Sequence, residues 1–428
     1  MSQLSDTHLT EQRSLDEIPN APDRNKPIGF ILRLAKALHT YGLPAYELEQ
    51  TMNGCAEAMG YGIQCMSLPT SISITILSTD SDPKTYLIRV SPGEVNIERL
   101  RKTSLVARQV ISGEINSQQG ADQLKNIASS SPDYPSWIIV LAFCVVSTCI
   151  SRIFSGGVNE MMVSACIGLI VGLIAITSRT RPMIDHLLPA ICAFIATFIA
   201  LSMDQWFGLS ISTSVVVISG LIILLPGLSL TIALAELATQ NLVSGTARLS
   251  GTVTTFIQLA FGSALAAELG KRLGLEVNHV IVSPVESWSV WLAAAIAALA
   301  LVPLFSARRK DAGWFLLSAL GAFTTVYFAS QAMGTSLGAF AGAITVGLMA
   351  RLATRFFDIP GAMIMMPGFI ILVPGAVGYR SILALVEKDV VAGLSTAFDV
   401  AVIGISLVAG FLLSSLVLLP KNESKDHY

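Results

Sequence analysis

ILLPGLSLTIALAELATQNLVSG, residues 223–245, and ILVPGAVGYRSILALVEKDVVAG, residues 371–393, read nearly alike 148 positions apart. Extended upstream to Ile211 and Ile359 and aligned without a gap, the segments agree at 10 of 41 positions, among them Gly220/Gly368, Pro226/Pro374, Gly227/Gly375 and Gly245/Gly393. Such agreement marks an internal duplication. In each copy a Pro-Gly pair closes a long apolar run. Proline lacks a backbone donor and glycine tolerates the conformation this frees, so the pair stops or bends a helix. Lipid offers no water to the released backbone groups, and duplicated broken helices of this kind are a transporter design.

The bulk composition agrees with a membrane protein. Of 428 residues, 53% are hydrophobic and 13% charged, the latter about half the soluble norm, and mean hydropathy is +0.66. A net charge of -2 without a basic stripe excludes a nucleic-acid partner. The six cysteines are scattered, without CxxC or metal-ligand spacing, and read as apolar fillers; no metal or cofactor is expected. Residues 1–26 lack an apolar core for a signal peptide and read as a disordered, cytoplasmic tail.

Residues 27–134 read as a small α/β domain on the cytoplasmic side. Ile28, Ile31, Leu32, Ala35 and Leu38 keep helical spacing, as do Leu48, Met52, Cys55 and Met59. Ile72, Ile74 and Ile76 then alternate with Ser71, Ser73 and Thr75, and Tyr86, Ile88 and Val90 alternate after STDSDPK, which predicts a hairpin. Helices over 95–112 and 117–130 complete four helices and two strands. His39 is expected at a surface or helix end.

The remainder divides into ten apolar runs: 135–154, 159–177, 186–203, 209–227, 248–267, 288–306, 313–331, 335–351, 359–378 and 397–419. Five form repeat 1 (135–267) and five repeat 2 (287–420), joined by a linker over 268–286, with a tail at 421–428. Ser136-Trp137 and Phe154-Ser155 answer Ser287-Trp288 and Phe305-Ser306 at an offset of 151. Five is odd, so the second copy enters the membrane from the other side, giving two inverted five-helix repeats. With both termini cytoplasmic, the inner links and tail hold Arg179, Arg181, Arg248, Arg308, Arg309, Lys310, Arg351, Arg355, Lys421 and Lys425. The outer links and ends hold Arg152, Lys271, Arg272, Arg380 and Lys388, which obeys the positive-inside rule.

The site residues follow from the breaks. Pro360-Gly361, Pro367-Gly368 and Pro374-Gly375 recur every seven residues, about 10 Å, and weaken one face of the ninth span. A half-helix amino end suits a carboxylate; the alternative is a kink that only improves packing. After the first break come Thr231, Glu236, Gln240, Asn241, Ser244 and Arg248, and after the second Tyr379, Arg380, Ser381, Glu387, Lys388 and Asp389. On one helix Glu236, Gln240 and Asn241 share a side, facing either a permeation path or the membrane interface. Asp399 lies near the start of the last run, as a coupling carboxylate or a helix-end one. Glu160 opens the second run as an amino-end carboxylate. Gly168/Gly172 and Gly334/Gly338/Gly342 form close-packing stripes. There is no GxxxxGK[ST] loop, which argues against an ATP-driven pump, the 27–134 domain has no GxSxG of a serine hydrolase, and the Cys55/His39 pair has nothing else to recommend it as a nucleophile.

LRLAKALHTYGLPAYELEQTMNGCAEAMGYG, PDYPSW, FSGG, LLPGLSLTIALAELATQNLVSGTARLSG and PGFIILVPGAVGYRS resemble the threonine/serine exporter family over about residues 27–419. The resemblance implies export of threonine and serine across the bacterial cytoplasmic membrane, driven by the proton motive force, by a transporter and not an enzyme. Similar sequences also occur in fungi. Two-component relatives divide where the 268–286 linker falls; at the position of Glu236 they more often carry aspartate preceded by arginine, whereas Ala235 precedes it here. Some are associated with dicarboxylate export, the alternative substrate class. The partners expected are a small amino acid, protons and the lipid bilayer, and a homo-oligomer is compatible with the chain. Substrate contacts are assigned to Pro226, Gly227, Thr231, Glu236, Gln240, Asn241, Pro374, Gly375, Tyr379 and Arg380, and proton coupling to Glu236 and Asp399.

Overall fold

A computed structural model describes residues 27–77, 82–91, 95–275, 285–357, 361–372 and 375–417. The predicted 1–26 and 421–428 tails, most of the STDSDPK turn, Pro360, Pro374 and the middle of the 268–286 linker lie outside the described residues. The chain forms two compact units. Unit 1 takes residues up to Asp133 together with Ala235–Arg248 and Phe305–Ala307; unit 2 takes the rest.

In unit 1, α1 (Pro27–Thr40) and α2 (Ala45–Ala58) accompany an antiparallel sheet in the order β1 (Gly62–Leu68), β2 (Ser71–Leu77), β3 (Lys84–Arg89). Ile72, Ile74 and Ile76 are buried, with Ile72 opposite Ile88 and Ile74 opposite Tyr86. Phe30, Leu34, Leu38, Leu48 and Met52 are fully buried from the helix side. The expected hairpin is β2–β3. β1 is a third strand beyond the two expected, because GIQCMSL places Gln64 and Ser67 among its apolar residues and shows no clean alternation. α3 (Ile97–Ile111) and α4 (Ser117–Ala128) fall where expected. Asn96 caps α3 by accepting the Arg99 amide at 2.9 Å, and Asn116 with Gln119 forms a capping box on α4.

Unit 2 is helical. Its first copy comprises α5 (Ser136–Ile153), α6 (Val158–Ser178), α7 (Pro182–Phe207), α8 (Thr213–Leu221), α9 (Gly227–Ala238) and α10 (Leu242–Arg272). Its second comprises α11 (Ser289–Leu304), α12 (Ala312–Met333), α13 (Thr335–Phe357), α14 (Gly361–Leu372), α15 (Gly375–Val386) and α16 (Val390–Val417). The end of α9 and start of α10 belong to unit 1. Among the described residues, eight stretches are long and apolar enough to cross a membrane, and α9 and α11 are shorter apolar helices.

Several expected boundaries move. The fourth run is not one span: α8 has 9 residues, about 13 Å, and a turn over 222–226 precedes α9. Of the ninth run, α14 and α15 are described on either side of residues 373 and 374, which lie outside the described residues. α16 starts at Val390 rather than 397, so Asp399 is well inside the helix and not near its start.

The duplication recurs in the backbone. Among the described residues, the non-glycine positions with positive φ are Ser155 (64°), Ser306 (50°), Gln240 (66°) and Lys388 (67°). They fall into two pairs at the offsets of 151 and 148 read from the sequence. Gln240 and Lys388 each occupy the left-handed position of a Schellman turn ending α9 and α15. Asn241 N donates to Glu236 O at 2.8 Å, and Asp389 N to Ala384 O at 2.9 Å.

Equivalent residues of the copies also meet. A Cβ at Gly375 would lie 3.3 Å from the Cα of Gly227, its counterpart. Leu228 packs against Ala339, Ala343, Phe369 and Leu407 of the second copy. Its counterpart, Ala376, is buried among Ile167, Val217, Leu221 and Leu259 of the first. Leu234 of α9 fills the space beside Gly404 of α16, while Phe256 of α10, the counterpart of Gly404, lies against Gly378 of α15. Each copy lends its second half-helix to the other's core.

The glycine stripes act mainly in packing: Gly168 faces Ser147, Gly172 faces Phe143, and Gly342 faces Leu372 and Val326. Gly334 instead caps α12 with φ 87° and has open space around it. Gly168→Ala, whose Cβ would press on Ser147 and the Phe143 carbonyl 2.8 Å away, is expected to destabilise the protein by about 1–3 kcal/mol. Gly313→Ala, with nothing within 4 Å, is expected to be neutral or stabilising by up to about 1 kcal/mol; thermal unfolding in detergent distinguishes them.

Candidate functional site

Gly227 and Gly375 of the two Pro-Gly pairs lie glycine against glycine within unit 2. α9 starts at Gly227; residues 373 and 374, which precede Gly375, lie outside the described residues. The α9 amino end carries roughly half a positive charge and first-turn amides without a helical partner. Gly227 N donates back to Leu225 O at 2.8 Å and Leu230 N to Pro226 O at 3.0 Å, which closes the turn around the half-buried Pro226.

Hydroxyls stand one turn into each half-helix at equivalent positions. Thr231, buried, donates to the Gly227 carbonyl at 3.3 Å. Tyr379, its counterpart, is 1% exposed, and its hydroxyl lies 2.6 Å from Ser263 Oγ. Ser263 also accepts from Thr197 at 2.9 Å. A hydroxyl chain therefore links α15, α10 and α7. Arg380 does not join Tyr379 there: it is exposed, with its guanidinium 6.0 Å from the centre of the Phe154 ring.

Glu236 belongs to unit 1, where its carboxylate is fully buried. Oε2 accepts from Arg248 Nε at 3.1 Å and Ser244 Oγ at 3.0 Å; Oε1 accepts from Arg248 Nη2 at 3.2 Å and Ala45 N at 3.4 Å. Ala45 opens α2, so the carboxylate also meets a helix amino end. The Schellman turn causes this meeting by folding α10 back beside α9, bringing Ser244 and Arg248 onto Glu236. Sequence analysis named all three but missed their pairing, for which the only signal was the repeated turn between them. The turn also corrects the expectation that Glu236, Gln240 and Asn241 share a helix face. The helix ends at Ala238, Gln240 is left-handed and exposed, and Asn241 is half-buried with its amide 3.2 Å from Thr239 Oγ1.

His39 is at the end of α1 as expected, yet buried, not on the surface. Nε2 donates to Pro69 O at 3.2 Å and Nδ1 accepts from Ser67 Oγ at 3.4 Å, an arrangement of the neutral ring. Burial lowers its pKa, the Pro69 bond opposes this, Arg248 lowers it further and Glu236 raises it. Cys55 donates to Ala107 O at 3.7 Å and burial pushes its thiol up to about 12, so His39 and Cys55 form no nucleophile pair. Asp399 is exposed on α16.

The run of long apolar helices defines a multi-pass membrane protein. A family model described as putative threonine/serine exporter matches residues 29–270, and a second, described as threonine/serine exporter, ThrE, matches 290–417. The chain belongs to the threonine/serine exporter family, and the division between the models falls at the repeat boundary. Relatives include the pheromone-regulated membrane protein 10 of Eremothecium gossypii, 24% identical over 88% of this chain and 51% of the relative. The protein of that name in Saccharomyces cerevisiae is 22% identical over 99% of this chain and 58% of the relative. An uncharacterized protein of Schizosaccharomyces pombe is 21% identical over 92% and 51%. The chain thus spans about half the length of the curated relatives it matches. No solved structure matches it.

Removing either partner of the Glu236–Arg248 pair strands the other's buried groups. Glu236→Ala and Arg248→Ala are each expected to cost about 3–5 kcal/mol, and the double variant less than their sum by at least about 1 kcal/mol in a double-mutant thermal-unfolding cycle. The lowered pKa of His39 means that the folded state resists its proton more than the unfolded state does. Its contribution to stability is therefore complete above the ordinary histidine pKa and lost as pH falls below it. After division by the intrinsic exchange rate at each pH, the protection of amides around Ser67 is expected to fall on acidification from about pH 7.5 to 5.5, and His39→Gln to flatten that dependence.

Proposed function

We propose that the protein is a secondary exporter of threonine and serine whose substrate binds where the two Pro-Gly breaks meet. The contact of Gly227 with Gly375 carries the reading. Two helix amino ends suit the substrate carboxylate. The Tyr379–Ser263–Thr197 chain supplies donors and acceptors for a hydroxyl or ammonium group. Pro226, Gly227, Thr231 and Gly375 shape the site with Tyr379, Pro374 is assigned to it from sequence, and Arg380, Gln240 and Asn241 flank the half-helices.

Counting α8 with α9 and α14 with α15 as two broken spans gives five spans in each copy. The odd number makes the copies inverted, and the basic residues favour cytoplasmic termini, with unit 1 on the cytoplasmic side of the inner membrane. Proton antiport through Glu236 or Asp399 completes the proposal. Asp399, exposed, exchanges protons directly. Protonating Glu236 removes the charge that holds Arg248 and loosens the α9–α10 turn.

Purified full-length protein in proteoliposomes is expected to show saturable threonine counterflow and efflux that follows an imposed pH gradient. Tyr379→Phe, which loses one hydrogen bond, is expected to reduce counterflow about tenfold. Succinate counterflow in place of threonine establishes the dicarboxylate alternative, and flux without saturation a channel.

A further inference from the structure

The packing of α5, α6 and α8 holds a feature that the export reading does not use. Ser147, Ser151, Ser164 and Ser219 are wholly buried, and their hydroxyls, with that of Thr213, have no hydrogen-bond partner among the described residues. They are arranged in a file. Gly172 lies against Phe143 and Gly168 against Ser147, so the antiparallel register of α5 and α6 sets Ser151 level with Ser164 one turn further on. Gly156 then fits between Ser151 and the Cβ of Glu160. Glu160 is 2% exposed, accepting the Gly157 and Ser212 amides, each at 3.0 Å. Ser212 leads into α8, and Gly220 near the end of α8 lies against Ile167. α8 therefore runs beside α6 in the same sense, its start beside Glu160 and Gly220 beside Ile167.

Five buried hydroxyls without partners would together cost a substantial part of a protein's net stability, and such groups in native interiors are ordinarily satisfied by water. Serines spaced one turn apart, ending at a buried carboxylate, suit several waters in line. We propose that α5, α6 and α8 enclose a file of bound water that supplies protons to Glu160, making Glu160 a further proton-coupling residue. The charged or titratable groups on the surrounding elements are Cys144, Cys149 and Arg152 on α5, Cys166 on α6, Asp185, His186, Cys192 and Asp204 on α7, and Tyr379 and Arg380 on α15. Arg152 is occupied by Ser289 Oγ and the Val285 and Glu286 carbonyls. α8 carries none.

The proton role rests on the export reading; the water file does not. Full-length protein in proteoliposomes, pulsed with X-rays in 18O water, is expected to acquire 18O at Phe143 and Ile167, which flank the file. Ser151→Ala/Ser164→Ala should reduce that label about fivefold. An unlabelled wild type, with the double variant more heat-stable than it, overturns the file. In the transport arm, the double variant and Glu160→Gln should each reduce pH-gradient-driven threonine efflux about tenfold and leave counterflow at equal pH within about twofold. An equal fall in both modes, or none in either, overturns the proton role. Wild-type protein that carries neither threonine nor serine sinks the export reading, and the label still decides the file.

Discussion

Backbone groups released inside an apolar bundle must find partners, and the unit 2 helices answer to that constraint. The first Pro-Gly pair frees amides at the start of α9, and glycine lets Gly375 of α15 approach so that its Cβ would lie 3.3 Å from the Gly227 Cα. A Cβ at Gly375 would require the neighbouring chain to give by a few tenths of an ångström. This explains which features the copies share. Gly227 and Gly375 are identical because each is the other's neighbour, whereas Thr231 and Tyr379, one turn away, differ in size while keeping a hydroxyl. The contact fixes the backbone and leaves side chains free to specialise.

Exchange of half-helices follows from the same meeting. Once α9 and α15 start back to back, each runs on into the other copy's helices. Leu228 packs with Phe369 and Leu407, while Ala376 is buried beside Ile167 and Leu259. The halves therefore cannot separate without exposing those side chains and the broken ends. Movement that preserves the contact must turn about it.

Much of this was legible in the sequence because it is written in residues with one conformational meaning. Pro226-Gly227 marked a helix start, the isoleucines of 72–76 a strand with one buried face, and the 148-residue offset predicted turns that recur bond for bond. Illegible were features set by the tertiary surroundings. β1 is strand-like only because β2 lies beside it. α8 is short although its apolar run continues, since hydropathy does not register a turn made of apolar residues. Gln240 adopts a left-handed conformation that the sequence gives no reason to expect of glutamine, and that one residue turns an apparent helix face into a hairpin. The site was half legible: the breaks were found, but the partners of Glu236 and the Tyr379–Ser263–Thr197 chain depend on helices meeting far apart in sequence.

The mismatch after the breaks now has a physical form. The turns ending α9 and α15 are the same in hydrogen bonding, yet they are fastened differently. In the first copy Glu236 holds Arg248 and Ser244 through a buried charge. In the second, Ala384 stands in place of Glu236 and Thr396 in place of Arg248. There Ser381, on the same half-helix, donates to the Gly393 carbonyl at 2.7 Å, and Gly393 lies against Leu385. A neutral hydroxyl bond does not respond to pH in the physiological range, whereas a carboxylate–guanidinium pair is undone by protonation of the carboxylate. Two turns with one backbone therefore differ in what can release them. One turn is held by a buried charge pair and the other by a neutral hydroxyl bond.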